Sequence, residues 1–187
     1  MLPSDPYFSE FLSYWKKLAN QAGGVPERRK FIPWDVRKSL PFIFMIDRFP
    51  DDAVSMRLTG SGLDFATDDK FTPGIDVERF DDVEMQAYLQ YFDTLFSLPC
   101  GCWSERTYVA ESGAAVQGAA LSVPLYDAVN DVQIALGMMK LTALKGSSVD
   151  VEVKGYAYSK LLEMDYFDVG FGSPKDVWTL PRSEPRD

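Results

Sequence analysis

Residues 42–59 read FIFMIDRFPDDAVSMRLT, and this stretch decides the fold. Its first part, residues 42–47, is a continuous apolar run closed by an aspartate, which is typical of a central strand with both faces covered. Residues 50–52 (PDD) predict a turn. In residues 53–59 apolar and polar residues alternate, which indicates a second strand. The stretch therefore predicts a β-hairpin.

A long helix and three further strands are predicted after the hairpin. The acidic pair Asp81-Asp82 stands where negative charge favours the N-terminal end of a helix, and Pro99 closes that helix. Beyond it, residues 102–110, 114–125 and 132–144 form strand-like stretches separated by turn residues. The order of elements predicts an α+β fold. Its five-stranded antiparallel sheet has helices inserted between the second and third strands.

An amphipathic helix precedes the hairpin and ends at Gly23-Gly24. Its apolar residues recur at helical intervals and form one stripe. The stripe includes Phe8, Phe11, Leu12 and Trp15. Either it packs on the domain's own sheet or it pairs with a second copy. We adopt the hypothesis that these four side chains make a homodimer contact, because their apolar area would otherwise be exposed.

Composition excludes several classes of function. The chain has 187 residues, with 19 Lys and Arg against 28 Asp and Glu, a formal net charge of −9 and no histidine. Strong negative charge disfavours general nucleic-acid binding. The absence of histidine excludes Ser-His-Asp and Cys-His catalytic arrangements, histidine-ligated haem and most zinc sites. The acidic pairs lack the alternating ligand spacing of a calcium loop, so no metal site is predicted.

The compartment is inferred from the cysteines and the N-terminus. Cys100 and Cys102 would lie on one face of a strand about 7 Å apart, which is awkward for a disulfide. We interpret them as reduced and buried, with a redox pair as the alternative. The N-terminus lacks the pattern of a signal peptide, and no stretch approaches the roughly 18 apolar residues of a membrane span. We expect a cytoplasmic protein without a membrane partner.

Several short stretches, taken together and in order, carry a resemblance to a known family. They are Trp15, Val25-Pro26-Glu27-Arg28-Arg29, Ile32-Pro33, residues 40–47 (LPFIFMID), Met56-Arg57-Leu58-Thr59-Gly60, Pro73-Gly74 and Leu121-Ser122-Val123-Pro124-Leu125. With these the chain resembles a bacterial family of small stand-alone PAS-like proteins of uncharacterised function. The resemblance implies a PAS fold and a sensory or regulatory role, and it supplies no catalytic residues. Flavin photochemistry in light-sensing relatives uses a Cys within an Asn-Cys-Arg-Phe-Leu motif that has no counterpart here, so flavin, like haem and zinc, is not expected.

Three segments are predicted on this basis. Residues 1–40 form an N-terminal helical extension, residues 41–145 the PAS-like core, and residues 146–187 a C-terminal segment that packs back and is loose at its end. A curved sheet covered by helices encloses a mainly apolar pocket, the usual form of a small-molecule site. The many Gly and Ala residues of the last two predicted core strands either leave room for a ligand or let a helix approach closely.

Polar and aromatic residues of the core are the candidate ligand contacts. They are Arg57, Tyr88, Tyr91, Phe92, Trp103, Arg106, Tyr108, Gln117 and Ser122. Each has an alternative interpretation: the arginines pair with acids of the chain, the aromatic residues form ordinary core, and the buried amide and hydroxyl bond to the backbone.

The predicted function is non-catalytic. We expect a sensory or regulatory domain that binds a small molecule, associates with a homodimer or regulatory protein partner, or does both. Two alternatives remain open. One is a small acid–base enzyme on a cone-shaped α+β fold, which would need a carboxylate of raised pKa in the pocket. The other is a structural adaptor that binds no ligand.

Overall fold

The structure, a computed structural model, describes residues 5–63, 82–110, 115–143, 156–172, 174, 175 and 177. Two long helices and six strands are its main elements among these residues, with short 3-10 helices at Arg28–Lys30, Pro33–Val36 and Leu40–Phe42. The helices are α1 (Pro6–Ala22) and α2 (Asp82–Ser97). The strands are β1 (Ile43–Arg48), β2 (Val54–Thr59), β3 (Cys100–Ala110), β4 (Ala115–Asp127), β5 (Val132–Ala143) and β6 (Tyr156–Asp168). Pro73-Gly74, one of the stretches that carry the resemblance, and residues 178–187 of the predicted loose C-terminal end lie outside the described residues.

The six strands form one sheet in the order β2-β1-β5-β4-β3-β6, and each neighbouring pair is antiparallel. The α+β class and the antiparallel sheet with helix inserted after β2 are confirmed. The strand count is corrected from five to six. The sixth strand comes from the C-terminal segment, which pairs with β3 from Cys100↔Asp168 to Ala110↔Tyr156.

The predicted hairpin is formed by β1 and β2. Its turn is closed by a hydrogen bond from the Phe49 amide to the Ala53 carbonyl, with 2.8 Å between N and O. Asp52 adopts a φ of 64°, a left-handed conformation that Asp tolerates better than most residues. A register shift between Met45 and Ile46 leaves an extra residue on β2, which changes the face on which the following side chains lie.

Helix α1 covers one face of the sheet, which we call the α1 face. The helix begins where the Asp5 side chain accepts a hydrogen bond from the Tyr7 amide, and it ends at Gly23 with a φ of 69°. Its apolar stripe packs with side chains from the central strands. The Trp15 indole N–H also donates to the Pro124 carbonyl, with 2.8 Å between Nε1 and O. The helix is therefore joined to β4 by packing and by a buried hydrogen bond.

This packing corrects the homodimer hypothesis for the stripe. Phe8, Phe11, Leu12 and Trp15 are all buried within the chain itself. Because the sheet covers the stripe, these side chains leave no apolar area for a second copy. The structure selects the other alternative, in which the stripe packs on the domain's own sheet.

Helix α2 covers the opposite face, which we call the α2 face. Its Phe92 and Leu95 are fully buried against residues of β3, β5 and β6. Side chains on neighbouring strands share this face when they are paired, as Cys102, Ser122 and Gly137 are. Within the described part of the chain, no helix has the length and apolar character needed to cross a membrane.

Candidate functional site

Small residues occupy the α2 face of the two central strands. On β4 they are Gly118, Ala120 and Ser122, and on β5 they are Ala135 and Gly137. Ser122 pairs with Gly137, whereas Gly118 pairs with Leu141, Ala120 with Met139 and Ala135 with Pro124. We call these five residues the small-residue strip. These residues add little side-chain bulk to the face that α2 covers.

Two aromatic rings of this chain lie on the glycines of the strip. A Cβ atom at Gly137 would stand 2.0 Å from Cζ of Phe44, and one at Gly118 would stand 2.6 Å from Cε2 of Tyr108. The Tyr108 hydroxyl donates to the sulfur of Met139, with 3.3 Å between the two atoms. Glycine is needed at both positions because the rings use the space that any side chain would take.

Three of the predicted polar and phenolic residues lie on this same face. Arg106 pairs with Gly118, Tyr108 pairs with Val116, and Ser122 pairs with Cys102. Ser122 is buried, whereas Arg106 and Tyr108 are partly exposed. The α2 face thus carries a buried hydroxyl at Ser122 and an arginine, Arg106, on the strand position beside Gly118.

The aromatic candidates are divided between the two faces. Tyr91 and Phe92 belong to α2 and meet edge to face, with ring centroids 5.5 Å apart. Trp103 lies on the α1 face instead, where its ring meets Phe8 at 5.2 Å. The sheet therefore separates Trp103 from Tyr91 and Phe92. Tyr88 lies within α2, and its side chain is outside the described part of the structure.

Gln117 also lies on the α1 face. Its side-chain amide donates to Glu105, with 2.7 Å between Nε2 and Oε2. The two residues lie on neighbouring strands, two positions out of register, because Glu105 pairs with Ala119. The amide is thus partnered within the chain and does not contribute to the small-residue strip.

Arg57 is held by two carboxylates of the chain. Its Nε lies 2.7 Å from Oδ2 of Asp47, and its Nη1 lies 3.5 Å from Oδ2 of Asp127. The guanidinium lies on the α1 face with these two carboxylates, and Arg57 is itself the extra residue of β2. Arg57 is therefore paired within the chain, and its role as a ligand contact stays a prediction. The sequence indicates such a pairing, because an arginine on a strand face covered by a helix needs an acidic partner.

Asp47 is the most buried member of this cluster. Burial raises the pKa of the Asp47 carboxyl, and the hydrogen bond and charge of Arg57 oppose that rise. Its second oxygen, Oδ1, is buried without a hydrogen-bond partner. The carboxylate is therefore paired on one side only, and it lies away from the small-residue strip.

The two thiols are buried and free. Burial raises the pKa of the Cys100 thiol to about 12 and raises the pKa of Cys102 well above its usual value. Because the thiolate is the reactive form, neither cysteine is suited to nucleophilic chemistry in the folded protein. No group of three or more acidic or sulfur ligands is found among the residues that the structure describes.

Sequence reasoning missed Phe44 as part of the site. Its ring covers Gly137, the residue paired with it on β5. The sequence signal for this contact is a large residue paired with a glycine on a covered face. Recognising that pair requires knowledge of the strand register. That register becomes visible only when β1 is paired with β5.

Comparison with known proteins agrees with this geometry. No significant match was found among curated proteins or among solved structures. A family model described as PAS domain matches residues 5–140, which extend from the start of α1 into β5. The matched region contains the hairpin, the inserted helix and the next three strands, and β6 lies outside it. Because the match covers most of the chain, this protein belongs to the PAS domain family.

Proposed function

We propose that this PAS domain binds a small molecule at the small-residue strip and passes the resulting signal to another protein without catalysis. PAS domains generally have sensory or regulatory roles. The observation that carries the proposal is the set of Gly and Ala residues on the α2 face of β4 and β5, where side-chain rings of Phe44 and Tyr108, and not backbone, lie closest to the two glycines. The free, buried cysteines support a reducing compartment, so we place this function in the cytoplasm.

Ligand entry would act on the rings that cover the strip. A molecule lying over Gly137 and Gly118 must displace the rings of Phe44 and Tyr108, because these occupy the same volume. Arg106 and the hydroxyl of Ser122 would then supply polar contacts. A ligand that binds the displaced arrangement better shifts the population toward it and changes how the neighbouring helix packs.

Mass spectrometry tests the proposal directly. The purified protein is measured under native conditions, and its denatured extract is analysed for small molecules. We expect additional mass in the native spectrum that is released on denaturation. A native mass equal to that of the chain, together with an empty extract in repeated preparations from several growth conditions, contradicts small-molecule binding.

A matched pair of variants locates the binding position. Ala120 lies in the small-residue strip, and its neighbour Ala119 lies on the opposite face of the same strand. We expect Ala120→Val to reduce the bound mass and Ala119→Val to retain it. Circular dichroism confirms that both variants are folded. Equal retention in both would place the ligand elsewhere.

A structural adaptor is the second candidate, and one observation favours it. Phe44 and Tyr108 already fill the space above the glycines, so the domain is packed there without a ligand. The acid–base enzyme alternative has less support. Asp47 is a carboxyl group of raised pKa, but it lies on the α1 face and is paired with Arg57.

A further inference from the structure

The segment from Arg28 to Lys38 concentrates positive charge in an acidic protein. Five cationic side chains lie within it, all of them exposed: Arg28, Arg29, Lys30, Arg37 and Lys38. The whole chain has a net charge of −9, so this is a local reversal of sign. Arg29 forms an ion pair with Glu27. The residues Arg28, Lys30 and Lys38 make no ion pair with any described residue.

The same segment exposes two large apolar side chains. Trp34 is 71% exposed and Ile32 is 53% exposed, whereas Phe31 and Val36 are buried in the core beneath α1. The buried pair holds the segment on the domain, and the exposed pair has no apolar cover from the described residues. Exposed Trp among arginines is the composition found at the energetic centre of protein interfaces. We call the five cations with Ile32 and Trp34 the basic aromatic patch.

The backbone of the patch is fixed before any partner arrives. The Tyr14 hydroxyl on α1 accepts a hydrogen bond from the Ile32 amide at 2.8 Å and donates to the Ile32 carbonyl at 3.4 Å. The Arg37 guanidinium lies 5.4 Å from the centre of the Trp34 ring. A fixed surface loses little conformational entropy on binding, so more of the contact energy is available for affinity.

We propose that the basic aromatic patch docks an acidic segment of a partner protein that also carries apolar side chains. Carboxylates of the segment would face the cations, and its apolar residues would cover Trp34 and Ile32. This inference rests on the protein-association part of the proposed function and is independent of small-molecule binding. It names the chemistry of the partner that receives the signal.

A protein partner fits the patch better than a membrane does. The acids Glu27 and Asp35 lie in and beside the patch, and the chain as a whole is acidic, so an anionic bilayer would repel most of the molecule. Two exposed apolar side chains also bury little area in a lipid interface. A narrow acidic segment meets only the local positive field, because other charges are screened beyond about 8 Å at physiological salt.

The test uses the full chain and a random peptide display library. We expect the selected peptides to be enriched in Asp and Glu next to apolar residues, and their affinity to fall as salt rises. Trp34→Ser is expected to weaken a selected peptide by about tenfold or more, the size seen for residues at interface centres. Val129→Ser is the matched control, because Val129 is 85% exposed and lies in a different turn. We expect this variant to bind the selected peptide with the affinity of the wild-type protein.

The remaining outcomes each overturn the proposal. Selection of non-acidic peptides, recovery of none, or equal binding by the Trp34→Ser and wild-type proteins contradicts an acidic partner at this patch. Flotation with vesicles of phosphatidylcholine and phosphatidylserine that depends on Trp34 shows a membrane surface instead. Loss of peptide binding does not affect the mass measurement at the small-residue strip, so failure here is distinguishable from failure of ligand binding.

Discussion

Single residues decide how tightly the α2 face is filled, and Gly137 is the clearest case. A Cβ there meets the Phe44 ring at 2.0 Å, so Gly137→Ala must move an aromatic side chain within a packed core. We expect a loss of about 1–3 kcal/mol in the free energy of unfolding, measured by urea denaturation. Gly24→Ala is the control, because nothing lies within 4 Å of its Cβ position.

The cause of that loss can be tested by a second substitution. If the ring of Phe44 is what clashes, Phe44→Leu in the Gly137→Ala background is expected to cost less than the sum of the two single changes. Additive losses would place the strain elsewhere in β5.

Asp47 gives stability an unusual dependence on pH. Burial raises the pKa of its carboxyl above 3.8 in the folded state, so the folded chain binds this proton more readily than the unfolded chain does. Its contribution to stability is therefore greatest below pH 3.8 and declines as pH rises through the folded pKa. Asn remains neutral, so the stability of Asp47→Asn relative to wild type is expected to increase across that window.

Asp127 provides a control of opposite sign. Hydrogen bonds from Asn130, with the side chain making the largest contribution, lower the pKa of this carboxyl below 3.8. Its contribution to stability is present above pH 3.8 and is lost as pH falls through the folded pKa. Asp127→Asn is therefore expected to lose stability relative to wild type above pH 3.8. Urea denaturation at a series of acidic pH values measures the unfolding free energy of each variant. If this free energy changes with pH in the same way for both variants and the wild type, both pKa assignments are contradicted.

At the scale of elements, α1 is held on the sheet by a buried hydrogen bond as well as by packing. Trp15→Phe keeps an aromatic ring but removes the donor to the Pro124 carbonyl. We expect a loss of about 1–3 kcal/mol in unfolding free energy, because the carbonyl is left buried and unpaired. Trp34→Phe, at an exposed tryptophan, is expected to change stability little. Similar losses in both would show that the bond to Pro124 adds nothing.

Elements with a strong local pattern were predictable, and those defined by distant pairing were not. The spacing of Phe8, Phe11 and Trp15 identified α1, and the apolar run with its turn identified the β1–β2 hairpin. Strand β6 was recognised only as a segment that packs back. Its pairing with β3 has a register shift beside Glu105, and the adjacent Leu161-Leu162 interrupts the alternation. No local pattern specifies which strand such a segment joins.

The candidate site was predicted in part for a related reason. Alternation along β3 correctly separated Trp103 from Arg106 and Tyr108, but it did not say which set faces the pocket. Helices cover both faces of this sheet, so both sets are partly apolar and partly buried. Composition then cannot distinguish the α1 face from the α2 face, so the sequence did not separate Trp103 and Gln117 from the candidates on the α2 face.

For the whole molecule, the two thiols report global stability. Cys100 and Cys102 are buried between the sheet and α2, so a disulfide reagent reaches them only after the structure opens. We expect labelling of the native protein to be at least about a thousandfold slower than labelling in denaturant. The Gly137→Ala variant is expected to label faster, because its lower free energy of unfolding increases the population of the open state. Rapid labelling of the native wild type would contradict this burial.

The position of β6 has a consequence for how the protein avoids self-association. Strand β6 pairs along the outer side of β3, an eleven-residue strand whose hydrogen-bonding groups would otherwise face solvent. Such an open edge is a template for strand addition by another chain. The new outermost strand carries Lys160, Glu163 and Asp165, and charged side chains disfavour edge-to-edge stacking. Strand β6, which lies beyond the residues matched by the family model, thus covers an edge at which another chain could add and aggregate.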